Sequence, residues 1–310
     1  MRKKHFLFAS VLALLCGSST LHAQDFKLTS SGYFKNQGVD VMAFDDIYPE
    51  GHQGGVCIIM NGHRVATNGD IRLEATPGQW QPVPKQLDRK LGDNSITATL
   101  CYPDSSRHLT GFNPMIYPDL HLIYTVNVES KGKNIEVTVD LDRPIPQEFI
   151  GKVGFNLEFF PGSLFGKPWI MDGQSGIFPQ QPNSPLMTTQ PNYLHTGNYH
   201  DGKKSLADMD KLIGKGYSPI VADDIISEPY AKGRKFTSRP DDPYNKVTIE
   251  SLSGDLQLFD GRMNHNNGWF VLRSNIKPGV TKGAVKWIIT PNIVADWMYQ
   301  PVIQTSQIGY

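Results

Sequence analysis

The sequence is that of an all-β protein: a large antiparallel β-sandwich, supersandwich-like, with a long Gly/Pro-rich loop excursion and at most one or two short helices. Three features lead there. Apolar and polar side chains alternate over many runs of five to nine residues, which is the period of a half-buried strand. Turn residues (Gly, Asn, Asp, Pro) separate those runs. Helical repeats do not alternate with them, so a parallel βαβ architecture is excluded.

From the N-terminus, "MRKKHFLFASVLALLCGSSTLHAQ" opens with Arg2, Lys3 and Lys4, continues as an apolar run from Phe6 to Cys16, and ends in Leu21-His22-Ala23. This is the pattern of a secretory signal peptide, residues 1–23, cleaved before Gln24. Its apolar run is too short to span a bilayer. Leu15 stands where a lipobox before Cys16 requires a small residue, so no lipid anchor is expected. The mature chain is accordingly expected to be periplasmic or secreted.

Residues 24–300 are expected to form the sandwich. In "LHLIYTVNV", Leu120, Leu122, Tyr124, Val126 and Val128 share one face; in "NIEVTVD", Ile135, Val137 and Val139 do the same. "VTIESL", "GDLQLF", "WFVLRS" and "AVKWIIT" repeat the pattern, and Trp287 falls on its apolar side. The loop excursion, residues 161–246, is dense in Gly, Pro, Asn and aromatics, and a connection so long implies a task. "KSLADMDKLIGKG", residues 204–216, is the one fair helix, with Ser205 at its start and Gly214 or Gly216 at its end.

Composition narrows function. Thirty basic residues balance thirty acidic ones among 310, so no broad positive field exists to hold a polyanion, and nucleic acid is not an expected partner. Phosphate-loop, nucleophile-elbow, zinc-helix and calcium-loop patterns are absent. No metal and no cofactor is expected; His195 and His200 in "YLHTGNYHDG" are too few to make a metal site. Cys57 and Cys101 lie in apolar runs. They read either as two small buried residues or as a disulfide in an oxidising compartment.

The candidate site residues are those that suit a sugar. A sugar ring offers an apolar C–H face ringed by hydroxyls, so its site combines a flat aromatic with polar edges. Trp80 in "TPGQWQPVPK", Trp169 and Asp172 in "GKPWIMDGQ", and His265 and Trp269 in "NHNNGWFV" supply that mixture. Glu158, in the apolar "GFNLEFFPG", joins them because a buried carboxylate needs a partner. The Asp doublets at 45–46, 223–224 and 241–242 read as turn caps or solvated surface, and make poor catalytic pairs because adjacent strand residues face opposite ways. No catalytic residue is assigned.

"PVIQTSQIGY" resembles the first strand of the immunoglobulin-like module that precedes the catalytic domain in many glycoside hydrolase family 9 enzymes, which commonly opens "SQVGY". Here the phrase is Ser306-Gln307-Ile308-Gly309-Tyr310. "GVDVMAFDDIYPEGHQGGVCIIMNGHRVATNGDIRLE" and "VGFNLEFFPGSLFGKPWIMDGQSGIFPQQPNSP" are similar to the leading β-rich region of large secreted cellulase-like proteins. The resemblance implies a non-catalytic accessory module, with residues 301–310 beginning a truncated immunoglobulin-like module. Its implied partners are a polysaccharide or oligosaccharide and the downstream domains of the same parent. The family's "DAGD" motif is absent, so no catalytic role carries over. Two other readings stay open. One is a complete carbohydrate-active enzyme on a mutarotase-like sandwich, pairing Glu158 with His265 or His121. The other is a stand-alone glycan-binding protein.

Overall fold

The computed structural model describes residues 25–46, 54–74, 76–78, 83–107, 120–182, 187–189, 225–263 and 268–301. The expected signal peptide, the expected helix at 204–216, His195, His200, Trp80, His265 and the Ser306–Tyr310 phrase lie outside the described residues.

The strands begin with β1 (Lys27–Leu28), β2 (Phe34–Asn36), β3 (Val39–Ala43), β4 (Val56–Met60) and β5 (His63–Leu73). Next come β6 (Lys85–Leu91), β7 (Ser95–Tyr102), β8 (Leu122–Lys131), β9 (Asn134–Leu141) and β10 (Val153–Phe159). Then follow β11 (Pro168–Met171), β12 (Gln174–Ile177), β13 (Met187–Thr189), β14 (Ile225–Ser227) and β15 (Ala231–Gly233). The last are β16 (Lys235–Ser238), β17 (Val247–Ser251), β18 (Leu256–Asp260), β19 (Phe270–Asn275) and β20 (Val285–Pro291). The helical segments among the described residues are short 3-10 turns, such as Gln147–Phe149 and Gly261–Met263. No helix among them is long and apolar enough to cross a membrane.

Two nine-stranded sheets form the sandwich. The first runs β1-β2-β3-β4-β5-β10-β19-β18-β15, and the second runs β12-β11-β16-β17-β20-β9-β8-β7-β6. The pairs between these strands are antiparallel, as is the separate β13–β14 ribbon. The period-two runs become the strands they predict: Leu122, Tyr124, Val126 and Val128 of β8 and Ile135, Val137 and Val139 of β9 are buried. Their polar neighbours face outward, as one covered face requires.

Aromatic contacts tie the sheets together. Phe155 of β10 meets Trp287 of β20 edge-on at 5.0 Å, and Phe159 meets Phe236 of β16 at 5.7 Å. Trp287 is fully buried, and its indole Nε1–H donates to Ser274 Oγ of β19 at 3.0 Å. That bond satisfies the one polar atom a buried indole carries.

The excursion carries more strand than its composition announces. In its two described arms, β11, β12 and β16 extend the edge of the second sheet, and β15 closes one edge of the first. These strands are three or four residues long, too short to display a period. Cys57 on β4 and Cys101 on β7 lie in different sheets and are free thiols. Of the two readings of this pair, the structure has that of unpaired residues in apolar strands.

Candidate functional site

The candidates that lie among the described residues, Glu158, Trp169, Asp172 and Trp269, each make contacts of their own. Trp169 sits on β11 with 5% of its surface exposed, its ring 6.4 Å from that of Tyr230. It is a core residue, unavailable for stacking on a sugar. Asp172 occupies the β11–β12 turn in the left-handed region (φ 50°), where its carboxylate accepts from the backbone N–H groups of Arg234 (2.8 Å) and Lys235 (3.0 Å). Its work is to fasten the hairpin to the β15–β16 connection. Trp269 is half-buried, edge-on to Phe160 at 4.4 Å. Local composition suggests exposure for these residues because it cannot register which strands fold over them.

Glu158 belongs to a different structure. β5, β10 and β19 are adjacent, and directly opposed residues on neighbouring strands share a face. Asp70, Asn156 and Arg273 oppose one another across the three strands, with Glu158 two residues along β10 on the same side. Arg72, opposite Gly154, lies on that side as well. The reverse side is apolar, where Leu73 opposes Val153 and Ile71 opposes Phe155. Asp70, Arg72, Glu74, Asn156, Glu158 and Arg273 are all buried.

Arg273 is the hub of this network. Its Nη1 donates to Glu74 Oε1 and Asn156 Oδ1, both at 3.1 Å. Its Nη2 donates to the carbonyls of Glu74 (3.0 Å) and Lys152 (2.8 Å), and its Nε to Asn275 Oδ1 (2.7 Å). All five guanidinium donors are thereby used. Gly154 makes room for it: a Cβ there would lie 2.8 Å from Arg273 Nε. Asn156 Nδ2 donates to Glu74 Oε1 at 2.6 Å, and the Gly78 N–H to Glu74 Oε2 at 3.2 Å.

The end of β5 is also where the second sheet reaches across. β4 pairs with β5 only as far as Gly69, so the edge from Asp70 to Leu73 is open to other partners. Asp70 Oδ1 accepts from the Tyr124 hydroxyl of β8 (2.8 Å) and the Ile71 N–H (2.7 Å), while Arg72 Nη1 lies 3.7 Å from Oδ2. The Leu73 N–H donates to the Tyr102 hydroxyl of β7 at 3.0 Å. Arg72 also donates to Asn68 Oδ1.

Burial pushes the Asp70 carboxyl up to about 6, against the opposing pull of Arg72, Tyr124 and the Ile71 amide. Burial likewise raises Glu74, opposed by Arg273 and Asn156. Burial alone would lower Arg72, but Asp70 and Glu158 beside it hold it above its ordinary value. In so dry a network, removing one charged partner leaves another buried charge uncompensated. His121, considered as a partner for Glu158, is exposed immediately before β8 of the second sheet, whereas Glu158 is buried in the first. No group of three His, Cys, Asp or Glu among the described residues could hold a metal ion.

Among the described residues, a surface feature with a ligand's dimensions lies elsewhere. Two adjoining depressions, of about 640 and 550 Å³, share Gly62, Trp297 and Tyr299. The segment after β20 crosses two neighbouring hairpin turns. Trp297 packs on Gly38 in the β2–β3 turn, where φ is +66° and a Cβ would come within 2.9 Å of the indole. Gln37 Nε2 donates to the Trp297 carbonyl, fixing the segment there. Tyr299 lies over Gly62 of the β4–β5 turn, with 69% of its surface exposed. Tyr244, half exposed, borders the second depression, and Asn61 Nδ2 donates to its carbonyl at 2.5 Å. Amide and carboxylate groups of Asn36, Gln37, Asp40 and Asp296 edge the aromatics. The signal was available in "ADWMYQP", where Trp297 and Tyr299 stand two apart beside Asp296 and Gln300.

No protein-family model matches the chain, and no curated protein matches it. Among solved structures, a galactose mutarotase-like protein from Lactobacillus casei is similar at 12% identity, covering 83% of this chain and 98% of that one, with a TM-score of 0.39. A protein from Synechocystis is similar at 10% identity, covering 86% of this chain and 96% of that one, with a TM-score of 0.34. Likeness at this level carries no functional argument, and the sandwich stands on its own strand pairing.

Proposed function

We propose that the protein binds glycan through the groove formed by Trp297, Tyr299 and Tyr244, as an exported module that serves polysaccharide breakdown without cutting the chain itself. The observation that carries this reading is the seating of half-buried Trp297 and exposed Tyr299 on two hairpin turns, with Tyr244 beside them and amides and carboxylates at the edges. Aromatic faces cover the C–H side of a sugar, and the polar rim takes its hydroxyls. The charged network is turned inward by comparison: its members are buried, and Arg273 spends every donor within the protein. Membership in a larger family 9-like parent rests on the Ser306–Tyr310 phrase, and reading the gene past Tyr310 tests it. A coding sequence continuing into an immunoglobulin-like strand pattern supports it, and a stop codon removes it.

Titration calorimetry of the purified protein against a panel of oligosaccharides tests the binding. Trp297→Ala is expected to weaken affinity about tenfold, or roughly 1.4 kcal/mol, with the unfolding midpoint in urea little changed. Equal affinity in the variant, or no binding across the panel, overturns the reading.

A further inference from the structure

The groove's geometry and charge restrict what it can take. The ring centroids of Trp297 and Tyr299 lie 6.5 Å apart, and their planes cross at 65°. Two rings so inclined cannot both lie flat on one plane. The face of an ordered polysaccharide would meet one ring and leave the other idle. A free chain that turns between successive sugars can lay a C–H face on each.

Charge narrows the ligand further. The acids along the groove are Asp25, Asp40 and Asp296, and the lysines are Lys27 and Lys35. Lys35 is already engaged by Asp40 at 3.4 Å. Apart from His63, that leaves more negative than positive charge, so a uronate chain would meet carboxylates of its own sign. Like charges brought together oppose binding and set specificity.

We infer that the groove takes a soluble, uncharged glycan chain that bends between Trp297 and Tyr299, and that it rejects both crystalline polysaccharide faces and uronate polymers. This inference rests on the glycan-binding reading above.

The test uses the purified protein with three kinds of probe. Soluble uncharged glucans, mannans and xylans are titrated by calorimetry; pectate and alginate are titrated likewise; microcrystalline cellulose and chitin are used in depletion assays. The expected result is binding to at least one soluble uncharged glycan, weakened about tenfold by Trp297→Ala and measurably by Tyr299→Ala. Trp297→Phe, which keeps a flat ring, should restore part of the loss, and urea unfolding confirms that each variant is folded. Trp297-dependent binding to crystalline cellulose, or to pectate, overturns the inference while leaving glycan binding intact. Soluble-glycan binding indifferent to Tyr299→Ala also overturns it, because the second ring would then be unused. Binding to none of the probes removes both readings.

Discussion

Asp70 is buried, yet it accepts the Tyr124 hydroxyl and faces Arg72. Its folded-state value of about 6 lies above the ordinary 3.8. For a raised acid, the stabilising contribution is complete below the unfolded value and is lost as pH rises through the folded one. Two units correspond to roughly 3 kcal/mol. Unfolding free energy of the wild type minus that of Asp70→Asn should therefore fall by about that much between about pH 3 and about pH 7. Urea titrations across that range measure it, and a flat difference refutes the assignment. The signal for this network stood in the sequence as "GDIRLEA", where Asp70, Arg72 and Glu74 recur at period two. What the sequence withheld was their partner Arg273, 199 positions beyond Glu74 and brought close only by strand order.

Among the strands, long alternating runs announced themselves and short ones did not. β8, β9, β17 and β20 each bury every second residue, a pattern that local order alone sets. β11, β12, β15 and β16 are held by what they pair with. Asp172 illustrates this, since it joins the β11–β12 turn to the chain between β15 and β16. Asp172→Ala removes a charged acceptor from two backbone donors, and should cost about 1–3 kcal/mol in urea unfolding. Glycan affinity should be unchanged, because Asp172 does not line the groove. A loss of affinity without loss of stability would return Asp172 to the binding site. Arg262 fastens the same excursion at its root: its guanidinium donates to the carbonyls of Pro179 (2.8 Å) and Gln180 (2.9 Å) while pairing with Asp260.

For the sandwich as a body, the two sheets keep their cysteines apart. Cys57 is buried, and burial pushes its thiol up to about 12; Cys101 is half-buried and its thiol is also raised, again by burial first. Only the thiolate reacts readily. In the folded protein, alkylation should therefore label the more accessible Cys101 well before Cys57, and both should label once the chain is unfolded without reductant. Mass spectrometry after each treatment reads the outcome, and a protein that labels at neither position until reduced contains the disulfide.

The polar row across β5, β10 and β19 also bears on how the chain finds its pairing. Sliding β10 by a single position would swing Asn156 and Glu158 toward Phe155's place beside Trp287, and set Arg273 against hydrocarbon. Such misaligned pairings are penalised heavily as soon as the sheets close. A shifted register would strand these charges without partners, a cost that near-miss arrangements of greasy side chains alone would not carry.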